Sequence, residues 1–202
     1  MLATGYALFA TAIGPCGIAW GDGGICGVQL PEADAEQSLR QLRRRFPGAR
    51  EQEPPARVRA LVDAIVELTN GEPVDLSQAP LDLAGVPAFH CRVYAVALAI
   101  RPGETLTYGE IARRIGEPHA AQAVGQALGR NPFPIIVPCH RVLAAGGRAG
   151  GFSARGGVET KMKLLSIEGA RTTGEPTLFD DDPAFGLATR PPAGPNGPRG
   201  AQ

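Results

Sequence analysis

A cysteine and a histidine stand side by side at Cys139-His140, at the end of the run Ile135-Ile136-Val137-Pro138, with Asn131-Pro132-Phe133-Pro134 ahead and Arg141-Val142-Leu143 behind. A thiol is a useful nucleophile only as its thiolate, so a cysteine presented beside a base points to nucleophilic chemistry. Three β-forming residues running into a proline predict an extended segment up to Val137, with Cys139 delivered where the strand stops. Neighbours on a strand face opposite ways, so His140 would reach the thiol through a water. A cysteine in an apolar run is otherwise a small buried hydrophobe. What favours chemistry is the whole string Pro-Cys-His-Arg-Val with Asn-Pro ahead of it.

The elements that must position this string lie on both sides of it. Residues 89–100 carry apolar positions at helical spacing and stop at Arg101-Pro102-Gly103. Thr107-Tyr108-Gly109-Glu110 has the form of a capping box that opens a short helix over 108–115, ended by Gly116. Glu117-Pro118 then starts a second helix over 119–128, since proline is tolerated in a first turn. Helix, tight glycine turn and helix make a helix-turn-helix, whose second helix meets DNA. That second helix is nearly bare of bulk: Ala120, Ala121, Ala123, Gly125 and Ala127. Beyond Cys139, Gly146 to Gly151 reads as a flexible loop, and residues 158–167 as a helix with Lys161 to Leu165 inside and Gly169 as its stop.

The first half reads as a packing unit. Short apolar runs over 8–13, 16–20 and 25–30, separated by Gly14-Pro15 and by Gly21 to Gly24, predict an antiparallel meander. An amphipathic helix over 32–46 follows, with Leu39, Leu42 and Phe46 inward and Arg40, Arg43, Arg44 and Arg45 on a solvated face. After Pro54-Pro55 a second helix over 58–68 buries Val58, Leu61, Val62, Ile65 and Val66. Residues 171–202, rich in proline and glycine with the run Asp180-Asp181-Asp182, read as a disordered tail. Its Thr177-Leu178-Phe179 is a weak candidate docking motif.

The formal net charge of zero over 202 residues conceals a division. Residues 1–83 hold 7 basic and 11 acidic side chains, a net −4; residues 84–170 hold 10 and 5, a net +5; the tail is −1. The basic part is the part with Cys139, as expected where a phosphate backbone is approached. Nothing resembles a signal peptide or a span of about 20 apolar residues, so a cytoplasmic protein with no membrane contact is expected. Four scattered cysteines make no disulfide framework. Cys16, Cys26 and His90 imitate part of a zinc site but lack a fourth ligand, so no metal is expected.

Taken together, Pro138-Cys139-His140-Arg141-Val142, Asn131-Pro132 and the small-residue helix resemble the O6-alkylguanine-DNA alkyltransferases, single-turnover DNA-repair proteins. The resemblance covers residues 89–169 closely, residues 1–83 loosely and the tail not at all. It implies an α/β (α+β) chain: an RNase-H-like N-terminal domain over 1–83, and an alkyltransferase domain over 84–170 that is helical and winged-helix-like. It also implies a monomer that needs no cofactor. Its partner would be double-stranded DNA bearing O6-alkylguanine, entered from the minor groove by the slim helix, so that a base is extracted.

The resemblance also assigns roles. Cys139 would take the alkyl group, with His140 as its base and Glu168 hydrogen-bonded to that histidine. Tyr108 would crowd the 3′ phosphate and give a proton to the departing guanine, and Asn131 would brace the helix-turn-helix against the active-site loop. The carbonyls of Cys139 and Val142 would accept from the guanine amine, while Ala123 and Arg141 would lie on the DNA side. Gln122 stands where the family has an arginine finger, and cannot offer a guanidinium to the orphaned cytosine. Phe152 stands for a family tyrosine in a loop two residues longer, with Ser153 near guanine O6. Three other readings use the same residues. A Cys-His hydrolase would need a distant histidine and an oxyanion hole, and His90 and His119 are in no such context. A lesion sensor without transfer would replace the cysteine. A transcriptional regulator would rest on the helix-turn-helix alone.

Overall fold

Strands β1 (Gly5–Thr11), β2 (Gly14–Gly21) and β3 (Gly24–Gln29) form the antiparallel meander that the turn residues predict. The computed structural model describes residues 2–149 and 157–170. The first turn falls at Ala12-Ile13, not at Gly14-Pro15. There the Thr11 hydroxyl donates to the Gly14 carbonyl at 2.6 Å and accepts from the Ile13 N–H, closing the turn one step early. Gly14, at φ 121°, then starts β2. A two-residue strand β4 (Arg50–Glu51) pairs in parallel with β1, giving the order β3-β2-β1-β4. Two charged residues carry no period, so nothing in the sequence announces this strand.

The alternation of the strands sends side chains to two faces. Tyr6 and Ala19 face helix α1 (Ala35–Arg45) and its buried Leu42. Helix α1 begins at Ala35, three residues later than the periodicity suggests, because the Asp34 carboxylate caps it by accepting from the Gln37 N–H at 2.7 Å. Ile18, Trp20 and Val28 face the main core, to which α2 (Ala56–Thr69) contributes Val58, Leu61, Ile65 and Leu68. Val62 and Val66, expected inside, are half-buried at its flank.

This core continues into the second half without a break. It takes in Val93, Tyr94 and Ala97 of α3 (Ala88–Leu98), Ile111 and Ala112 of α4 (Tyr108–Arg114), and Val124, Ala127 and Leu128 of α5 (Ala121–Gly129). The capping box at Thr107 and Glu110 is formed in both directions. Pro118 does not open α5; it lies in the turn before it, and the helix starts at Ala121. The Tyr94 hydroxyl donates to the Ala127 carbonyl at 3.0 Å and so pins α5 to α3. A parallel ladder of β5 (Leu106–Thr107) with β6 (Val142–Leu143) and the helix α6 (Val158–Ile167) complete the described chain. Among the described residues no helix is long and apolar enough to cross a membrane.

The extended segment expected before Cys139 is not there. Residues 133–137 make a turn, with the Val137 N–H donating to the Phe133 carbonyl at 2.8 Å, and Cys139–Arg141 form one 3-10 turn. Pro134 and Pro138 offer no N–H to a ladder, so the apolar run is buried by folding on itself rather than by pairing. Ile135, a buried β-branched residue, is held at φ 73°, a conformation costly for its type and kept by the packing around it.

Candidate active site

The loop that carries Cys139 is fastened from one side chain. Asn131 donates from Nδ2 to the Val137 carbonyl at 2.9 Å and accepts at Oδ1 from the Phe133 N–H at 2.9 Å. The 3-10 turn that follows puts His140 wholly inside, with 0 % of its side chain exposed, and leaves Cys139 half-buried. The expected outward divergence of Cys139 and His140, drawn for a strand, therefore does not apply.

His140 Nε2–H donates to Glu168 Oε1 at 2.8 Å. The same carboxylate accepts from Arg141 Nη2 at 2.8 Å on Oε1 and from Arg141 Nε at 2.9 Å on Oε2. Burial alone would raise the Glu168 carboxyl, but the His140 bond and the Arg141 guanidinium overcome it and hold the group down at about 2. Burial pulls the His140 imidazole below its ordinary 6.5, against the opposing pull of Glu168. The ring is thus neutral at pH 7, and with the proton on Nε2 its Nδ1 carries a free lone pair. That Nδ1 is buried and has no hydrogen-bond partner among the described residues. It is a base held ready.

Burial likewise pushes the Cys139 thiol up from 9.0. Four groups pull it the other way: the Asn131 side chain, the Lys161 ammonium, and the backbone N–H groups of Cys139 and His140. The site therefore rests as thiol and neutral imidazole, with donors already turned toward a negative sulfur. Burial also pushes the Tyr108 phenol up, so that it keeps its proton near neutrality.

The structure brings Tyr108 to this place by the β5–β6 ladder. Leu106 pairs with Val142 and Thr107 with Leu143, so the first residue of α4 is laid beside the residues that follow His140 and Arg141. On α5, Gln122 is exposed, Ala123 is half-buried, and Gly125 packs near the Tyr108 ring, which a β-carbon there would meet at 3.8 Å. Val142 is fully buried and its carbonyl accepts from Lys161 Nζ at 2.5 Å, which leaves a second lone pair for a ligand. Arg141, expected on the DNA side, is instead 5 % exposed and spent on Glu168 and the Ile100 carbonyl. Together with the His140 hydrogen bond, its charge keeps Glu168 ionised inside the protein. Phe152 and Ser153 lie outside the described residues, as does the tail with Thr177-Leu178-Phe179.

Three residues of the site are read from the sequence only as core or surface. Lys161 and Tyr94 are buried side chains on apolar helix faces, and nothing in their spacing distinguishes them from core. Arg45 belongs to a run that reads as a solvated face. Its guanidinium in fact donates to the Val28 carbonyl at 2.8 Å and to the Pro132 carbonyl at 2.9 Å, and the Val28 N–H donates to the same Pro132 carbonyl. The edge of β3 is thereby tied to the loop that Asn131 braces. Gly27 lies close beneath it: a β-carbon there would come 2.8 Å from the Arg45 guanidinium and the Phe46 ring, so both side chains would have to shift.

Comparison with known proteins gives the same direction. Residues 88–170 match the family profile described as 6-O-methylguanine DNA methyltransferase, DNA binding domain. The methylated-DNA–protein-cysteine methyltransferase of Methanothermobacter thermautotrophicus is 37% identical over 159 residues, 79% of this chain and 82% of that one. The crystal structure of Mycobacterium tuberculosis OGT in complex with DNA superposes with a TM-score of 0.67 at 35% identity, covering 85% of this chain and 96% of that one. The O6-methylguanine-DNA methyltransferase of Pyrococcus kodakaraensis does so at 0.61 and 26% identity, covering 82% and 99%. The mixed α/β architecture is that of these structures. With a third of its residues shared over most of a curated relative's length, the chain belongs to the methylated-DNA–protein-cysteine methyltransferase family.

Proposed function

We propose that this chain repairs O6-alkylguanine in double-stranded DNA by moving the alkyl group, once per molecule, onto Cys139. Its family reverses alkylation damage by transfer to a protein cysteine, and DNA repair by that transfer is the function of this chain. The observation that carries the assignment of residues is the buried chain of contacts behind Cys139: neutral His140, its Nε2 on Glu168 at 2.8 Å, and Glu168 held by Arg141.

The steps follow from that geometry. The Cys139 proton passes to His140 Nδ1 through a bridging water, and the sulfur forms a bond to the alkyl carbon as the bond from that carbon to guanine O6 breaks. The electron pair stays on the guanine, which Tyr108 protonates at N3 so that a neutral base departs. A thioether does not hydrolyse, so the protein is consumed, and no metal or cofactor enters. The Val142 and Cys139 carbonyls accept from the guanine amine, and Asn131 transmits the position of α5 to the loop.

The slim face of α5, with exposed Gln122 and half-buried Ala123, suits entry into the minor groove as a monomer, with Gln122 filling the gap left by the extracted base. The chain would work on DNA inside the cell. The strand order β3-β2-β1-β4, with β4 parallel to β1, supports an RNase-H-like reading of residues 1–83, and the β5–β6 ladder beside α4 and α5 supports a winged-helix-like reading of 84–170.

The test is the intact mass of the protein after mixing with a short duplex that bears one O6-methylguanine, beside Cys139→Ser. One added methylene mass, mapped to Cys139 and absent in the variant, is expected. Binding to the duplex without mass gain would overturn the assignment and leave a lesion-binding protein in its place.

A further inference from the structure

Arg92 lies on the outer side of α3, and its side chain leaves its own helix to close on the turn between α4 and α5. Nη1 donates to the Ile115 carbonyl at 3.3 Å, and Nη2 donates to Glu117 Oε1 in an ion pair. The guanidinium carbon is 5.6 Å from the centre of the Phe89 ring, one turn back on α3, so the side chain is steadied from below as well.

The turn it holds is a defined structure. Gly116, at φ 80°, donates to the Arg113 carbonyl, and the Glu117 N–H donates to the Ala112 carbonyl, the two bonds that close a helix on a left-handed glycine. The Ile115 carbonyl is one of those that a helix end leaves over, and Arg92 takes it. The Glu117 carbonyl then accepts from the Ala120 N–H at 2.9 Å, one residue before α5 begins. Near the far end of α5, the Tyr94 hydroxyl holds the Ala127 carbonyl. Two side chains of α3 therefore hold α5, one at the turn that leads into it and one near its exit. Exposed Gln122 lies between them.

We propose that Arg92 is a positioning residue for DNA entry: with Glu117 it forms a clasp that fixes the turn, and so the direction in which α5 meets the duplex. The proposal rests on α5 as the helix that enters DNA. Its consequence has an unexpected sign. Glu117 is an acidic side chain in the basic half of the chain, where removing a negative charge ordinarily tightens binding to a phosphate backbone. As one half of the clasp, its removal loosens binding instead.

The two side chains are 50 % and 43 % exposed, so solvent weakens the pair and the effect is modest. Arg92→Met and Glu117→Ala should each weaken duplex affinity about two- to fivefold, and the double variant should be little weaker than either, because both remove the same contact. Arg92→Lys keeps the charge but not the fork that reaches two oxygens at once, and should recover only part of the loss. Since the clasp does not touch phosphate, every one of these variants should keep the wild-type salt slope.

The experiment is a mobility shift with the O6-methylguanine duplex at several salt concentrations, for wild type and these four variants, with urea unfolding to show that each is folded in the assay. Glu117→Ala binding as tightly as wild type, or more tightly, overturns the proposal; so do variants that lose stability alone and bind as wild type. Arg92→Met with a slope lower by about one phosphate contact also overturns it, and makes Arg92 a direct DNA contact. Gln122→Arg in the same assay tests the reading beneath: a wild-type slope there removes α5 from the DNA, whereas a steeper slope beside unaltered clasp variants is a failure of the clasp alone.

Discussion

Replacing Glu168 by glutamine changes one atom and removes one charge from a place where three hydrogen bonds converge. The carboxylate accepts from His140 on Oε1 and from Arg141 on both oxygens. An amide has a single acceptor end, so its NH2 must face either the imidazole N–H or the guanidinium. Arg141, 5 % exposed, is then a buried cation with no anion, and removing one partner of a buried pair costs about 3–5 kcal/mol. Urea unfolding at pH 7 reads this directly as a lower midpoint at unchanged slope. The cause is isolated by adding Arg141→Met, which removes the stranded charge. The glutamine substitution should then cost about 2 kcal/mol less than it does alone, within the range of coupling between groups in contact. A Glu168→Gln protein within about 1 kcal/mol of wild type, or a cycle that is simply additive, would refute the account of Arg141 as the group that keeps Glu168 ionised.

Four further outcomes are expected. Asn131→Ala frees the fully buried Val137 carbonyl and the Phe133 N–H, and should cost about 2–4 kcal/mol in urea unfolding while slowing transfer more than it weakens DNA binding; a wild-type rate would count against the brace. Arg45→Met removes the guanidinium from the Val28 and Pro132 carbonyls, leaving the Val28 N–H as the link from β3 to that loop, and should cost about 1–3 kcal/mol and slow transfer, although it lies on the first half of the chain; an unaffected rate would show that the tie is structural only. Because the folded pKa of His140 is depressed, its contribution to stability is complete above 6.5 and is lost as pH falls below that value. Urea midpoints should therefore hold from pH 7 to 6.5 and decline below it, while the single-turnover rate, which follows the folded imidazole, should fall only at lower pH, and a rate already halved at 6.5 would contradict this. Gln122→Arg should tighten duplex binding and steepen its salt dependence by about one phosphate contact, read from mobility shifts at several salt concentrations; an unchanged slope would place residue 122 away from DNA.

What the sequence made legible was whatever has a short signature. The capping box at Thr107 and Glu110, the meander, α2, α6 and the Cys139-His140 pair follow from residue types at fixed spacing, while Glu168 joins that pair only through the family resemblance. The failures share a different origin. Ile135-Ile136-Val137 has strand composition, but two prolines remove ladder donors and Asn131 captures the Phe133 N–H and the Val137 carbonyl, so the segment turns. Side-chain capture of backbone groups across several residues overrides local propensity and leaves no periodic mark. Arg141 was legible as a basic residue in a basic half, which suggested DNA, whereas the structure turns its charge inward onto Glu168.

Burial explains how a reactive thiol can be kept for a single use. Burial pushes the thiol up, the imidazole down and the Tyr108 phenol up, so every group that must move a proton rests in its neutral form. Glu168, the acid that stays ionised, is neutralised by Arg141 and lends its influence to the imidazole alone. A stray electrophile therefore meets a thiol, which is a poor nucleophile, rather than a standing thiolate. Thiolate forms only when the proton can cross to His140 and the negative sulfur is stabilised by the donors already turned to it, with an alkyl carbon in line. In a protein that cannot regenerate its nucleophile, such reluctance at rest is as necessary as speed in the complex.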